Sequence, residues 1–306
     1  MLTHIQRREL AKICNSILFD ISISSYTTFK VGGNVEALCD VREMKELIEL
    51  VRYLYKKDIP YAIIGNGSNV LVSDTGFDGV IVRLKGEFEK IDKPVMDDKG
   101  VVLNIGAGAT IPQLLRYCIK NGLGGAEFLA GIPGTIGGAT AMNAGAFGEE
   151  IGEKIDQITM VTAHGDLVSK KGSELRFSYR DMHIQPGSII TGVWLRLNHS
   201  DTGIVKKRIS EHLCIRSQSQ PLNYPSAGCI FKNPEGHKAG KLIDEVGLKG
   251  KSRGGAMISQ RHANFIINTG NAKTADIMAL IRIIREEIKE KKGIELEPEI
   301  RFIGFG

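Results

Sequence analysis

The stretch from Leu129 to Gly148, LAGIPGTIGGATAMNAGAFG, carries no charge and constrains this chain more than any other. Its length matches the ~20 apolar residues of a membrane-crossing helix. Gly131, Pro133, Gly134, Gly137, Gly138 and Gly145 interrupt it, however, and each weakens or breaks a helix interior. Glycine permits positive φ and lets another group lie against bare backbone. Free N–H groups in such loops form cradles for anions such as phosphates. Taken singly, a glycine-rich run is more often a connection packed in a core. A second loop of the same character, Gly65-Asn66-Gly67-Ser68-Asn69, favours a bound nucleotide-like cofactor.

At 306 residues the chain has room for two or three domains, and 42% apolar with 25% charged residues describes an ordinary globular protein. Residues 201–306 hold 18 Lys+Arg against 12 Asp+Glu, a balance of +6, while residues 1–200 stand at −1. The basic residues are interleaved with acids and few aromatics accompany them, so no stacking stripe for nucleic acid appears. A small polyanionic ligand fits that last third better. Met1–Leu10 shows no basic-then-apolar leader, and the five cysteines (14, 39, 118, 214, 229) are scattered without a CxxC pair. Together these predict reduced thiols in a cytoplasmic protein with neither a disulfide framework nor a metal site.

Periodicity predicts an amphipathic helix over 3–18, a strand at Tyr26–Val31, and a helix from Met44 to Tyr55 opened by an Asp40/Glu43 capping box. Strands are expected at Tyr61–Ile64, Val70–Val72, Val80–Leu84 and Val101–Ile105, then a helix at Pro112–Lys120 closed by Asn121-Gly122. Further strands are expected at Gln157–Ala163, Leu167–Ser169 and Ser188–Leu197. The last third reads as a helix Ile204–Arg216, a strand Cys229–Phe231, a helix Lys238–Val246 and a strand Asn264–Ile267. A long helix Ala275–Lys292, capped by Thr274 and stopped by Gly293, precedes a final strand at Ile294–Ile303. The expected organisation is two lobes, 1–85 and 86–200, followed by a domain over 201–306.

Two patterns are decoys. Gly106-Ala-Gly108 follows a strand but lacks the third glycine of a dinucleotide fingerprint, and Gly250-Lys251-Ser252 ends like a phosphate loop with Glu245 where its first glycine belongs. The seven histidines lack metal-ligand spacing, and no G-x-S-x-G elbow is present. The chemistry-bearing residues fall in three places: Ser178-Tyr179-Arg180-Asp181, Pro225–Pro234 (PSAGCIFKNP) and Glu297-Pro298-Glu299-Ile300-Arg301. Singly, Arg180 reads as an ion-pair former, Cys229 as a small buried hydrophobe and Glu299 as a solvated acid.

Taken together with TTFKVGG (27–33), GNGSNVLVSD (65–74), HKAGKLID (237–244) and EPEIRFIG (297–304), they resemble the UDP-N-acetylenolpyruvoylglucosamine reductase (MurB) family of peptidoglycan precursor synthesis. The motifs occur in the family's order over nearly the whole chain. The resemblance implies an α+β fold: a p-cresol methylhydroxylase-type FAD-binding fold of two lobes plus a C-terminal α+β substrate domain. It implies hydride transfer from NADPH to FAD, then to the enolpyruvyl ether of UDP-N-acetylglucosamine, giving UDP-N-acetylmuramate. Negative charge then develops beside the substrate carboxylate. Such a centre needs fixed positive charge and a positioned proton donor.

By the resemblance, Arg180 and Glu299 stabilise the carboxylate side and Cys229 donates the proton. The commoner pattern has serine where Cys229 stands; a thiol, with ordinary pKa ~8.5, is the stronger acid. The resemblance puts Gly65, Asn66, Gly67, Ser68 and Asn69 around the FAD diphosphate and Gly131, Pro133, Gly134, Gly137 and Gly138 along the cofactor. No histidine is poised for covalent attachment, so FAD is expected to be non-covalent. The substrate diphosphate and carboxylate are assigned to Arg216, Gln220, Lys232, Asn233 and Lys241. The chain resembles the shorter class that lacks an extra tyrosine-bearing loop. The expected partners are the UDP-sugar and NADPH, with no nucleic acid and no membrane. Another FAD oxidoreductase of the same fold, such as a sugar or alcohol oxidase, is the alternative.

Overall fold

The computed structural model describes residues 1–305, arranged as two compact units assembled from interleaved segments. One unit comprises residues 1–19, 37–65 and 79–215; the other comprises 20–36, 66–78 and 216–306. The expected divisions at 85 and 200 do not coincide with these borders.

In the first unit, the opening helix His4–Ile13 is started by a capping box: Thr3 accepts from the Gln6 amide while the Gln6 side chain accepts from the Thr3 amide. It stops short of the expected residue 18, because Ile17–Ser22 joins a sheet. That sheet has the order Ile17–Ser22, Asn34–Val41, Phe77–Leu84, Tyr61–Ile63, the last two parallel with Tyr61 opposite Val80. Asn34–Val41 is a strand that sequence periodicity did not reveal. Asp40 lies near its end and binds Arg83 through both carboxylate oxygens at 2.6 and 2.7 Å. It therefore does not cap the helix Met44–Lys56, whose first amide donates to the Glu87 carboxylate. The expected strand at Tyr26–Val31 is replaced by a tight turn at Ile23–Tyr26 and irregular chain.

The second sheet of this unit is antiparallel, in the order Leu167–Lys171, Ile155–Val161, Ile189–His199, Gly100–Gly106, Val95–Asp97. The helix Ile111–Asn121 is bounded as its residues dictate. A Thr110/Gln113 capping box and Pro112 open it, and Gly122 closes it in the left-handed conformation at φ +60°. One apolar core, including Leu50, Val82, Leu103, Leu114, Phe128 and Val193, runs beneath these elements. The uncharged run forms no membrane-length helix: it folds as a turn at Glu127–Leu129, a six-residue helix Ile136–Ala141 and a short strand Gly145–Ala146. Among the described residues no helix is long and apolar enough to cross a membrane.

In the second unit the strands Ser252–Arg253, Ala256–Ile258 and Ile266–Asn268 form an antiparallel sheet beside the helix Thr274–Lys292. That helix buries Ile277, Leu280, Ile281, Ile284 and Ile288 on one face, each worth about 1.5–3 kcal/mol. Thr274 is its first residue and not its cap. Asp74 accepts from the Thr274 and Ala275 amides at 2.9 and 2.8 Å, and the Thr274 hydroxyl donates to the Val72 carbonyl at 2.6 Å. Gly293 ends it in the left-handed region at φ +68°. Val70–Val72 pairs in parallel with Arg301–Ile303, which is all that forms of the expected strand at Ile294–Ile303.

Candidate active site

In the first unit a cavity of about 150 Å³ is lined by Gly65, Gly108, Thr135, Gly137, Gly138 and Ala141, with Arg83, Lys85 and Ile190 among its other walls. A Cβ added at Gly65 would run into the Thr135 hydroxyl, so only glycine lets the two glycine loops approach here. At Gly138 an added Cβ would meet only that hydroxyl, at 3.5 Å. Its bare backbone thus leaves room for a bound group. Arg83 is already paired with Asp40, and Lys85 with Glu89 at 3.0 Å. Ligand pockets usually measure ~300–1,000 Å³, so at about 150 Å³ this cavity has room for only part of a ligand of that size.

Of the ten residues assigned to the cofactor, Gly65, Gly137 and Gly138 line this cavity; Gly131, Pro133 and Gly134 do not. The Gly134 carbonyl instead accepts from the Ile111 amide at 3.1 Å. Asn66 is exposed and Ser68 half-buried. The Gly67 carbonyl accepts from the Thr28 amide at 3.0 Å, and Asn69 belongs to the cluster around Glu299 described below.

Arg180 turns the chain between the short strands Phe177–Ser178 and Asp181–Met182 at φ +59°. Its guanidinium donates to the Gly145 carbonyl at 3.0 Å, stands 3.8 Å from the Glu150 carboxylate and lies 4.8 Å from the Tyr179 ring centroid. The hairpin pairing Gly145–Ala146 with Glu149–Glu150 supplies both oxygens. Beneath it sits Asn143, 1% exposed and itself at φ +41°. Its amide nitrogen donates to Glu150 at 2.6 Å and to the Ser178 carbonyl at 3.0 Å, and its oxygen accepts from the Gly152 amide at 3.0 Å. The sequence reading omitted Asn143 and Glu150. Their signal was a lone Asn inside the uncharged run and the acid pair just after it.

In the second unit Cys229 and Glu299 lie on neighbouring segments. The Glu299 amide donates to the Ile230 carbonyl at 2.8 Å, and the Lys232 amide donates to the Glu297 carbonyl at 2.9 Å. Both side chains are half-buried. The expected strand at Cys229–Phe231 is only a single bridge, Phe231 with Pro298. The Asn69 side-chain Nδ2 donates to the Glu299 carbonyl at 3.1 Å, and the Asn69 main-chain carbonyl accepts from the Arg301 amide at 2.9 Å.

The residues assigned to the substrate are dispersed. The Lys232 ammonium binds the Glu297 carboxylate at 2.7 Å, and the Asn233 side chain accepts from the Ala239 amide at 3.0 Å, opening the helix Ala239–Glu245. Lys241 is 76% exposed on that helix. Arg216 and Gln220 sit at the end of the helix Thr202–Ser219, where Arg261, absent from the sequence reading, donates to the Ser217 and Gln220 carbonyls at 3.0 and 3.4 Å.

Family profiles match the chain in two blocks: the FAD binding domain over residues 19–170, and the UDP-N-acetylenolpyruvoylglucosamine reductase C-terminal domain over 220–303. The UDP-N-acetylenolpyruvoylglucosamine reductase of Syntrophus aciditrophicus is 40% identical over 299 residues, 97% of this chain and 96% of that protein. The chain belongs to this reductase family. The reductase of Caldanaerobacter subterraneus is likewise 40% identical, over 91% of each chain. The crystal structure of UDP-N-acetylenolpyruvylglucosamine reductase (MurB) from Thermus caldophilus has 37% identity and a TM-score of 0.79, covering 94% of this chain and 98% of that one. The family's FAD-binding α+β fold, implied by the sequence motifs, is therefore the fold of this chain.

Proposed function

We propose that this protein is an NADPH- and FAD-dependent reductase of the enolpyruvyl ether of UDP-N-acetylglucosamine, forming UDP-N-acetylmuramate for peptidoglycan. The near-full-length kinship at 40% identity carries the reading, and the glycine-walled cavity supports non-covalent FAD. FAD, when bound, supplies hydride transfer between NADPH and the vinyl group. The residues of the chain then manage charge and protons. Charge building beside the substrate carboxylate is met by the Arg180 guanidinium, which Asn143, Glu150 and the Gly145 carbonyl hold in one orientation. The Cys229 thiol gives a proton to the substrate carbon, and Glu299, fixed through its backbone to Ile230 and Asn69, serves the carboxylate side.

Gly65–Asn69, Gly131, Pro133, Gly134, Gly137 and Gly138 are proposed to contact FAD. Gly65, Gly137 and Gly138 have the best support, because they wall the cavity. Arg216, Gln220, Lys232, Asn233 and Lys241 are proposed for the nucleotide, within two FAD lobes (1–85, 86–200) and a substrate domain (201–306) acting in the cytoplasm. Lys232 and Asn233 have chain partners to exchange for a ligand. A steady-state assay tests the reading. NADPH consumption that requires the enolpyruvyl nucleotide supports it. Peroxide production from an alcohol, with no response to the nucleotide, overturns it in favour of an oxidase.

A further inference from the structure

The segment carrying Cys229 lacks a sheet partner on one side, and a single buried side chain takes that place. Asn264 is 3% exposed. Its Oδ1 accepts from the Phe231 amide at 3.0 Å, its Nδ2 donates to the Phe231 carbonyl at 2.8 Å, and its own main-chain carbonyl accepts from the Ile230 amide at 2.8 Å. A carboxamide offers one acceptor face and one donor face, the same pair a strand neighbour would offer. From the other side the Ile230 carbonyl accepts from the Glu299 amide. Residues 230–231 are thereby clamped between Asn264 and the segment that bears Glu299, with Cys229 at the clamped end.

We infer that Asn264 is a positioning residue for proton delivery: its carboxamide fixes the Cys229 segment in register with Glu299. This rests on the proposed reductase reaction. Reacting groups tolerate little misplacement, since about 1 Å of drift costs on the order of 10²-fold in rate. Asn264 touches neither substrate nor cofactor in this role. Its loss should therefore slow only the half-reaction that needs the proton.

Asn264→Asp is the sharpest variant, because it keeps shape and exchanges the Nδ2 donor for an oxygen. Facing the Phe231 carbonyl, that oxygen bonds only when protonated, and burial with an acceptor neighbour raises the carboxyl above its ordinary ~3.9. Asn264→Ala removes the clamp at every pH. The holoenzyme and both variants are reduced anaerobically with NADPH, then mixed with the enolpyruvyl nucleotide while the return of flavin absorbance is timed from pH 5 to 8.5. His262, Cys229, Lys232, Glu297 and Glu299, the titratable groups on the adjoining segments, are common to both variants and cancel in their ratio.

The expected result is unchanged reduction by NADPH, and reoxidation slowed 10- to 100-fold in both variants at pH 8.5. Recovery toward wild type at pH 5 is expected in Asn264→Asp only. Reoxidation within twofold of wild type at pH 8.5, or equal slowing of both half-reactions with no pH-dependent difference between the variants, overturns the inference. If Asn264→Asp does not fold, Asn264→Ala decides alone through the contrast between half-reactions. A wild-type enzyme that ignores the nucleotide overturns the reductase reading itself.

Discussion

Asn143→Ala gives the most direct test of how the chain presents Arg180. The substitution removes the bonds to Glu150, the Ser178 carbonyl and the Gly152 amide, at about 1 kcal/mol each. It also places a Cβ-bearing residue without a local polar side chain at φ +41°, costing about 1 kcal/mol more. The expected destabilisation is about 4 kcal/mol. For a folding unit of this size it lowers Tm by ~8–16 °C. Thermal unfolding of the holoprotein at a fixed excess of FAD measures it, since bound ligand itself raises Tm. Asn143→Gly relieves the backbone cost alone and should recover roughly a quarter of the loss. In both variants KM for the nucleotide should rise, as the Glu150–Arg180 arrangement loosens. A Tm within 2 °C of wild type for Asn143→Ala would refute the assignment of Asn143 as the support of the Arg180 turn.

Cys229→Ser should stay active, whereas Cys229→Ala should reduce normally with NADPH but lose most of the nucleotide-dependent reoxidation; equal turnover in the alanine variant removes the thiol from the mechanism. Denaturing the protein should release free yellow FAD, and colour remaining on the chain would contradict non-covalent binding. A maleimide at pH 8 should label the exposed Cys214 and half-buried Cys229 of the native protein, while Cys14, Cys39 and Cys118 stay protected until unfolding. Burial pushes the Cys118 thiol from 9.0 up to about 12, while its hydrogen bond with Cys14, followed by burial, raises Cys39. The unfolded chain then ionises Cys118 before the folded one does. Stability should therefore fall above about pH 9 by about 1.4 kcal/mol per pH unit from Cys118 alone. Cys118→Ala, compared with wild type in urea melts from pH 8 to 10.5, should flatten that slope.

The parts of this fold that a sequence reader recovers are those whose signals are local. Thr110, Pro112, Gln113 and Gly122 bound one helix within a dozen residues. Gly293 ends another in the same way. The start of that second helix was misjudged because its cap, Asp74, lies 200 residues away and only folding joins them. Asn34–Val41 was missed because its core is buried on both faces and so shows no alternation, while Asp40 and Glu43 imitate a capping box. The apolar triplet Cys229–Phe231 imitates a strand, yet the partner it finds is a carboxamide side chain. The close approach of the two glycine loops was legible because bare backbone at Gly65 is what permits it. Asn264 was not legible, because a buried polar side chain is identified only by the backbone atoms it satisfies.

The central claim is that this chain moves reducing equivalents from NADPH to an enolpyruvyl nucleotide through a non-covalently held flavin. The absorption spectrum of the purified holoprotein, recorded anaerobically before and after NADPH and again after adding the enolpyruvyl ether of UDP-N-acetylglucosamine, tests it in one cuvette. The account predicts a yellow protein that bleaches with NADPH and regains its colour when the nucleotide arrives. A protein that binds no FAD when offered it, or one that stays bleached in the presence of the nucleotide, contradicts it.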